Sequence, residues 1–338
     1  MVVADPENIS EAVATAVAAL NAGEVVALPT ETVYGLAADA LNPDAVAKVF
    51  AAKQRPSFNP LIVHVRSREA IHEVADIPEE MLETVNALIS AHWPGPLKLV
   101  LPKKDIVPDI VTAGKDTVAV RMSDHPVMKA VTKEFGKPIA APSANKFGSI
   151  SPTAVAAVAE ELDGEIPLIV DGGACLNGVE STIIRVEATG ARPHLHLLRP
   201  GPVVKEELQK VGKVIRPKKK KSTQTAPEAP GMLESHYAPS TPLYLYDDPS
   251  EFVPEPGKTY GLLSYRGQDK DGYMKLHDWQ EIEELSPGKG KLAEASVRLF
   301  FCMRKLDQSG VDAIVAEPVS EVGVGVAIMD RLRRASVV

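Results

Sequence analysis

Lys53-Gln-Arg55-Pro-Ser-Phe-Asn59-Pro-Leu-Ile-Val-His64 decides how this chain is read. It joins a periodic segment, Asp44 to Ala52, that reads as a helix to Leu61 to Val65, an apolar run that reads as a strand. A helix handing over to a buried strand through a short polar connection is the unit from which α/β sheets are built. The connection holds two cations one residue apart, an Asn and a Pro, a composition suited to an anion and typical of loops that carry ligand groups. A Lys-x-Arg pair at a helix end also meets the helix dipole or bulk water, and taken alone the two readings balance.

Working outward, the alternation continues. A helix is expected over Ile9 to Asn21, capped by Ser10 and ended by Gly23, then a strand at Glu24 to Pro29. Helices at Glu79 to Ala91, Val127 to Phe135 and Thr153 to Glu161 interleave with strands at Leu97 to Leu101, Thr117 to Arg121, Ile139 to Ala141, Leu168 to Asp171, Thr182 to Val186 and Leu195 to Arg199. Several strand pairs lack a crossover helix, so the expected fold class is α/β with an open, mixed sheet. Lys213 to Lys221 places six cations in nine residues, and Ser222-Thr-Gln-Thr-Ala-Pro227-Glu-Ala-Pro230-Gly231 has too little apolar content to bury a core, so a linker is expected here. Strands at Leu243 to Tyr246, Tyr260 to Ser264 and Ala313 to Glu317, with a helix at Lys291 to Gln308, then read as a second, smaller α/β domain. The expected division is 1–212, a linker or lid at 213–240, and 241–338.

Composition narrows the function classes. At 338 residues, 45% hydrophobic and 24% charged, the chain is an ordinary globular one with two domains as the expectation. It carries neither an apolar run long enough to span a bilayer nor the basic and apolar regions of a secretory signal near Met1, so a cytoplasmic location is expected. Cys175 and Cys302 form no metal-binding spacing and read as buried small hydrophobes. The net charge is −8, and with the six cations of the basic run set aside the body stands at −14, which disfavours stable polynucleotide binding by the folded body.

Four more polar clusters fall at strand ends. They are Thr30-Glu31-Thr32-Val33-Tyr34-Gly35, Arg121 at the end of its strand, Pro142-Ser143-Ala144-Asn145 ahead of Ser151-Pro152-Thr153 (expected to cap the next helix), and Glu180-Ser181-Thr182-Ile183. Each has a plain alternative: an ST or Asx turn, or a surface ion pair. Five such clusters at strand ends of one domain point to a ligand site. Motifs of serine hydrolases, P-loops and dinucleotide folds are missing from the sequence.

These residues, with His64, Asn59-Pro-Leu and Leu198-Arg-Pro-Gly201, closely resemble the YrdC-domain family in order and spacing from Glu24 to Val203. Ala229-Pro-Gly-Met232 and Ser235-His-Tyr-Ala-Pro239, followed by a second domain, resemble its two-domain branch, the L-threonylcarbamoyladenylate synthases. The resemblance implies an open, twisted sheet with a second, Rossmann-like domain. It implies a nucleotidyltransferase that joins L-threonine, bicarbonate and ATP, with Mg2+ carried by ATP, into threonylcarbamoyl-AMP and pyrophosphate. The product would pass to partner proteins that make N6-threonylcarbamoyladenosine at tRNA position 37, next to the anticodon. It further implies that Thr32, His64, Arg121, Ala141 and Ser181 surround threonine, with Arg121 on its carboxylate. Lys53, Arg55, Asn59, Thr117, Ser143, Asn145, Ser151 and Arg199 would hold the nucleotide, with His236 and Tyr237 closing over it. Lys53 and Arg55 would be the catalytic cations, expected to face ligand rather than core. Two other classes remain open: an RNA-binding module, and another ATP-dependent carbamoyl-transferring or nucleotide-hydrolysing enzyme.

Overall fold

A computed structural model describes residues 2–3, 9–188, 192–216 and 236–336. The chain divides into two units, one formed by Met1–Phe147, Pro152–Leu176 and Glu180–Met232, the other by Gly148–Ser151, Asn177–Val179 and Leu233–Val338.

The first unit runs β1 (Val2–Val3), α1 (Ser10–Asn21), β2 (Val26–Leu28), β3 (Gly35–Asp39), α2 (Pro43–Ala52), β4 (Ile62–His64), α3 (Glu79–His92), β5 (Leu97–Pro102), α4 (Asp109–Thr112), β6 (Thr117–Arg121), α5 (Pro126–Phe135), β7 (Ile139–Ala140), α6 (Val155–Leu162), β8 (Leu168–Asp171), β9 (Thr182–Glu187), β10 (His194–Arg199), α7 (Lys205–Leu208) and β11 (Lys213–Ile215). All eleven strands form one sheet in the order β1-β8-β2-β3-β7-β4-β6-β5-β9-β10-β11. Its pairings mix parallel (β4 with β6, β5 with β9) and antiparallel (β2 with β3, β5 with β6), as the short connections without crossover helices require.

Local sequence explains the starts of α2 and α5. Asn42 accepts from the N–H groups of Asp44 (3.0 Å) and Ala45 (3.3 Å) and Pro43 opens α2, while His125 Nδ1 accepts from Val127 N–H ahead of α5. Two expected caps differ. Ser10 is already helical and Ile9 holds the cap position without a side-chain bond, and α6 is entered at Ala154, likewise without one. In both places packing fixes the start: Val13, Ala16, Val17 and Leu20 of α1 pack against α5, and Val158 and Leu162 of α6 are buried. Lys213–Ile215, expected to open the linker, is instead an edge strand parallel to β10. Residues 217–235, which hold Lys218 to Lys221 and the segment before His236, lie outside the described residues.

Alternation gives the central strands two unlike faces. Val63, Leu99, Val118, Val120 and Ile184 belong to the main core, whereas Ile62, Val100, Ala119, Ile183 and Leu198 form a small apolar cluster on the other side. By parity, His64, Lys98, Thr117 and Arg121 share that second face.

The second unit contains β12 (Leu243–Leu245), β13 (Tyr260–Ser264), β14 (Glu281–Glu284), α8 (Leu292–Asp307), β15 (Ala313–Ala316) and α9 (Gly325–Ala335), with an all-parallel sheet ordered β12-β15-β13-β14. Both cysteines are buried, which pushes each thiol up to about 12.

Candidate active site

The polar connection after α2 is tied to the loop after β7. Lys53, 1% exposed, donates from Nζ to the carbonyl oxygens of Ser143 (2.6 Å) and Asn145, and Phe147 N–H returns to the Lys53 carbonyl at 2.9 Å. Lys53 therefore does not simply face outward to a ligand: its ammonium is buried on backbone carbonyls and fixes the Ser143–Asn145 turn. Burial first, and then the Arg55 charge, hold its pKa well below that of an ordinary lysine. Gln54, with φ of 50°, turns the chain so that Arg55 follows in a different direction. Arg55 donates from Nε to Asn59 O (3.2 Å) and from Nη2 to Pro60 O (2.9 Å). The Asn59 side chain is fully buried, and neither its amide nitrogen nor its oxygen has a hydrogen-bond partner among the described residues. A buried amide in that state calls for a missing partner.

The second cluster is built on the turn after β2. Thr30 Oγ1 donates to Val33 O (2.6 Å) and accepts from the N–H groups of Thr32 (3.1 Å) and Val33 (3.2 Å), so Thr30 is a turn-former. Thr32 Oγ1 accepts from Arg121 Nη1 at 3.0 Å, and Arg121 Nε donates to Gly95 O at 3.3 Å. Arg121 Nη2 also stands 2.6 Å from Glu31 Oε1 in a buried ion pair, while Ser123 Oγ donates to Glu31 Oε2. Burial by itself would raise the Glu31 carboxyl; Arg121 and Ser123 overcome it and hold the group at about 2. A ligand carboxylate at Arg121 would thus meet a guanidinium that already carries one. His64 pairs with Arg121 across β4 and β6; burial, then the positive charges of Arg121 and Lys98, keep its pKa well below 6.5, and its Nδ1 has no partner among the described residues.

Arg199 clasps the carbonyl of Ser181 from Nε (3.2 Å) and Nη2 (2.9 Å), which joins the Leu198–Gly201 and Glu180–Thr182 motifs. Ala141 N–H donates to Ile62 O at 2.8 Å beside His64. Thr117 begins β6, so it stands about 13 Å along the strand from Arg121, on the same face. Ser151, His236 and Tyr237 belong to the second unit, where His236 N–H donates to Arg334 O (3.1 Å) and the Tyr237 ring lies 5.2 Å from the Arg331 guanidinium and 5.8 Å from Phe300. Sequence reasoning quoted Glu31 within its motif without giving it a role, and left Lys98 out. Lys98, 3% exposed, sits in the strand Leu97-Lys-Leu-Val-Leu, where a lone cation in an apolar run was the available signal.

Comparison with known proteins extends this geometry. The Sua5/YciO/YrdC family profile, described as Telomere recombination, matches residues 18–201, and the profile described as Threonylcarbamoyl-AMP synthase, C-terminal domain, matches residues 203–337. The chain belongs to the Sua5/YrdC family. It is 43% identical to the threonylcarbamoyl-AMP synthase of Pyrococcus abyssi, over 94% of this chain and 92% of that one. The Bacillus subtilis protein of the same name is 41% identical, over 96% and 92% respectively. Among solved structures, P. abyssi Sua5 complexed with L-threonine matches with a TM-score of 0.86 at 40% identity, covering 99% of this chain and 97% of that one. A variant of that protein with a His and the following Tyr replaced by Ala matches with a TM-score of 0.85 at 39% identity over 99% and 96%.

Proposed function

We infer that this chain is a threonylcarbamoyl-AMP synthase, a nucleotidyltransferase that uses L-threonine, bicarbonate and ATP. The observation that carries the reading is that both polar clusters rest on one sheet, in a chain that aligns along nearly its whole length with relatives of that name. Threonine sits among Thr32, His64, Arg121, Ala141 and Ser181. The nucleotide lies along Lys53, Arg55, Asn59, Thr117, Ser143, Asn145 and Arg199, and the resemblance assigns Ser151, His236 and Tyr237 to it as well.

The chemistry asks little acid–base work of the protein. Threonine's amine and bicarbonate condense to a carbamate with release of one water. One carbamate oxygen attacks the α-phosphorus, a new P–O bond forms, the bond to the β-phosphate breaks, and pyrophosphate leaves with its electron pair. Catalysis is positioning plus neutralisation of phosphate charge, for which Lys53 and Arg55 are the protein's cations and Mg2+ arrives on ATP. His64, held neutral by burial and by Arg121, offers hydrogen bonding without adding charge. The product goes on to the machinery that transfers threonylcarbamoyl to tRNA in the cytoplasm.

The test is pyrophosphate release from ATP by the purified chain. Release that needs both threonine and bicarbonate is expected. Release indifferent to either one would favour a nucleotide hydrolase, and retention of RNA without turnover would favour a binding module.

A further inference from the structure

The four strands of the second sheet run parallel, so their carboxyl ends share one edge. At that edge the chain leaves β13 and β15 for opposite faces. After β13 it passes over the face where Leu262 and Val315 pack with Phe252, Tyr260 and Tyr273. The other face carries α8, whose Leu306 stands against Gly261, and α9, which follows β15 and packs against α8 and β12. Loops that diverge from neighbouring strands open a crevice where open α/β sheets bind ligands. Here it is a cavity of about 340 Å³ whose lining includes Asp247, Tyr265, Arg266, Asp271, Tyr273 and Glu317, a size typical of small-ligand sites.

Its chemistry is lopsided. Arg266 is the only cation of the lining and is already engaged: its Nε donates to Asp271 Oδ2 (3.0 Å), its Nη2 to Oδ1, and its guanidinium lies 5.6 Å over the Tyr265 ring. Among the described residues neither Asp247 nor Glu317 has an ion-pair contact within 4.0 Å, although Arg333 lies close enough to act on Asp247 and Arg266 on Glu317. Glu317, 4% exposed, accepts from Ser264 Oγ (2.8 Å) and Tyr265 N–H (2.7 Å), and both bonds go to Oε2, not Oε1. The two tyrosine hydroxyls are spent on backbone, Tyr265 on Gly290 O and Tyr273 on Tyr246 O (2.7 Å), so these residues offer rings instead of hydroxyls. Two carboxyl groups beside two aromatic rings suit a cation and repel a phosphate. Among the described residues no group of three or more His, Cys, Asp or Glu side chains is placed to hold a metal, which leaves an organic cation as the fitting occupant.

We propose that this crevice is a ligand site of the second unit that takes a small organic cation, its ammonium or guanidinium group held by Glu317 and Asp247 against the Tyr265 and Tyr273 rings. The test is calorimetric titration of the full-length protein with agmatine and with putrescine. Trp279, whose Nε1 donates to Tyr273 O at 3.1 Å, provides a second, fluorescence readout. Saturable binding of one probe per chain is expected, weakened about tenfold or more in Asp247→Asn and in Glu317→Gln. Asp247 is exposed, so its variant tests the site even where Glu317→Gln fails to fold. The proposal is overturned by absence of saturable binding of both probes at millimolar concentration, by unchanged affinity in Asp247→Asn, or by AMP or inorganic phosphate displacing the bound probe.

Discussion

At the scale of single residues, burial changes what a charged side chain can be asked to do. Lys53 and Arg55 read from sequence as cations open to a phosphate, yet Lys53 also anchors the Ser143–Asn145 turn. Lys53→Ala is therefore expected to lower synthesis about a hundredfold or more and also to cost roughly 1–3 kcal/mol of folding stability, because two buried carbonyls lose their donor. Full turnover in this variant would remove Lys53 from the phosphates. Arg121→Lys should weaken threonine binding more than ATP binding, since an ammonium cannot reproduce the fork that reaches Thr32, Gly95 and Glu31 together; titrations in the reverse order would move Arg121 to the nucleotide side. Glu31 gives a pH signature. Its folded pKa of about 2 lies below the ordinary 4.5, so its contribution is present above that value and is lost as pH falls toward 2. Denaturant unfolding should show Glu31→Gln less stable than the parent by on the order of 2–3 kcal/mol at pH 6, with the gap closing between pH 4.5 and 2. A gap that does not change with pH would mean that the carboxylate charge contributes nothing.

Elements show why some of this was legible and some was not. Helices α2, α3, α5 and α8 and strands β4, β5 and β6 carry plain periodicity, and sequence places them within a residue or two. β3 was hidden because Gly35–Asp39 overlaps a motif read for its ligand chemistry. β14, Glu-Ile-Glu-Glu, and the basic α9 were hidden because charge masks their pattern; parallel pairing with β13 and packing against α8 decide them instead. The site clusters were legible as motifs, but their pairing was not. Nothing local says that Lys53 meets Ser143, ninety residues away, or that Glu31 neutralises Arg121. Gly201 is another long-range case. A Cβ there would stand 2.4 Å from Thr182 N and 2.6 Å from Glu180 O, so Gly201 lets the strand carrying Arg199 lie against the Glu180–Thr182 segment. Gly201→Ala should displace that segment, cost about 1–3 kcal/mol in stability and raise the threonine KM more than the ATP KM. Equal effects on both substrates would mean that the segment serves the pocket as a whole and not the threonine side.

At the scale of the molecule, the second unit can be tested for a part in forming and keeping the product. A plain spacer needs only Ser, Gly and Pro, whereas the segment ending in His236-Tyr237-Ala-Pro239 carries an imidazole and an aromatic ring. Tyr237 is 1% exposed, holds φ of 65°, and packs within the second unit on Phe300 and Arg331 of α8 and α9. Held this firmly, His236 and Tyr237 are part of the second unit and not of a loose spacer. A segment that folds over bound nucleotide would exclude water from a hydrolysable acyl-adenylate and reopen to release it. The expected outcome is that proteolysis between residues 217 and 235 slows when ATP and threonine are both present. A chain ending after Arg216, which keeps β11 and so the whole first sheet, should fold yet make little product or lose it to hydrolysis. If that shortened chain makes and retains the adenylate as well as the full one, or if ligands leave cleavage unchanged, His236 and Tyr237 only end a tether and the second unit has no part in guarding the product.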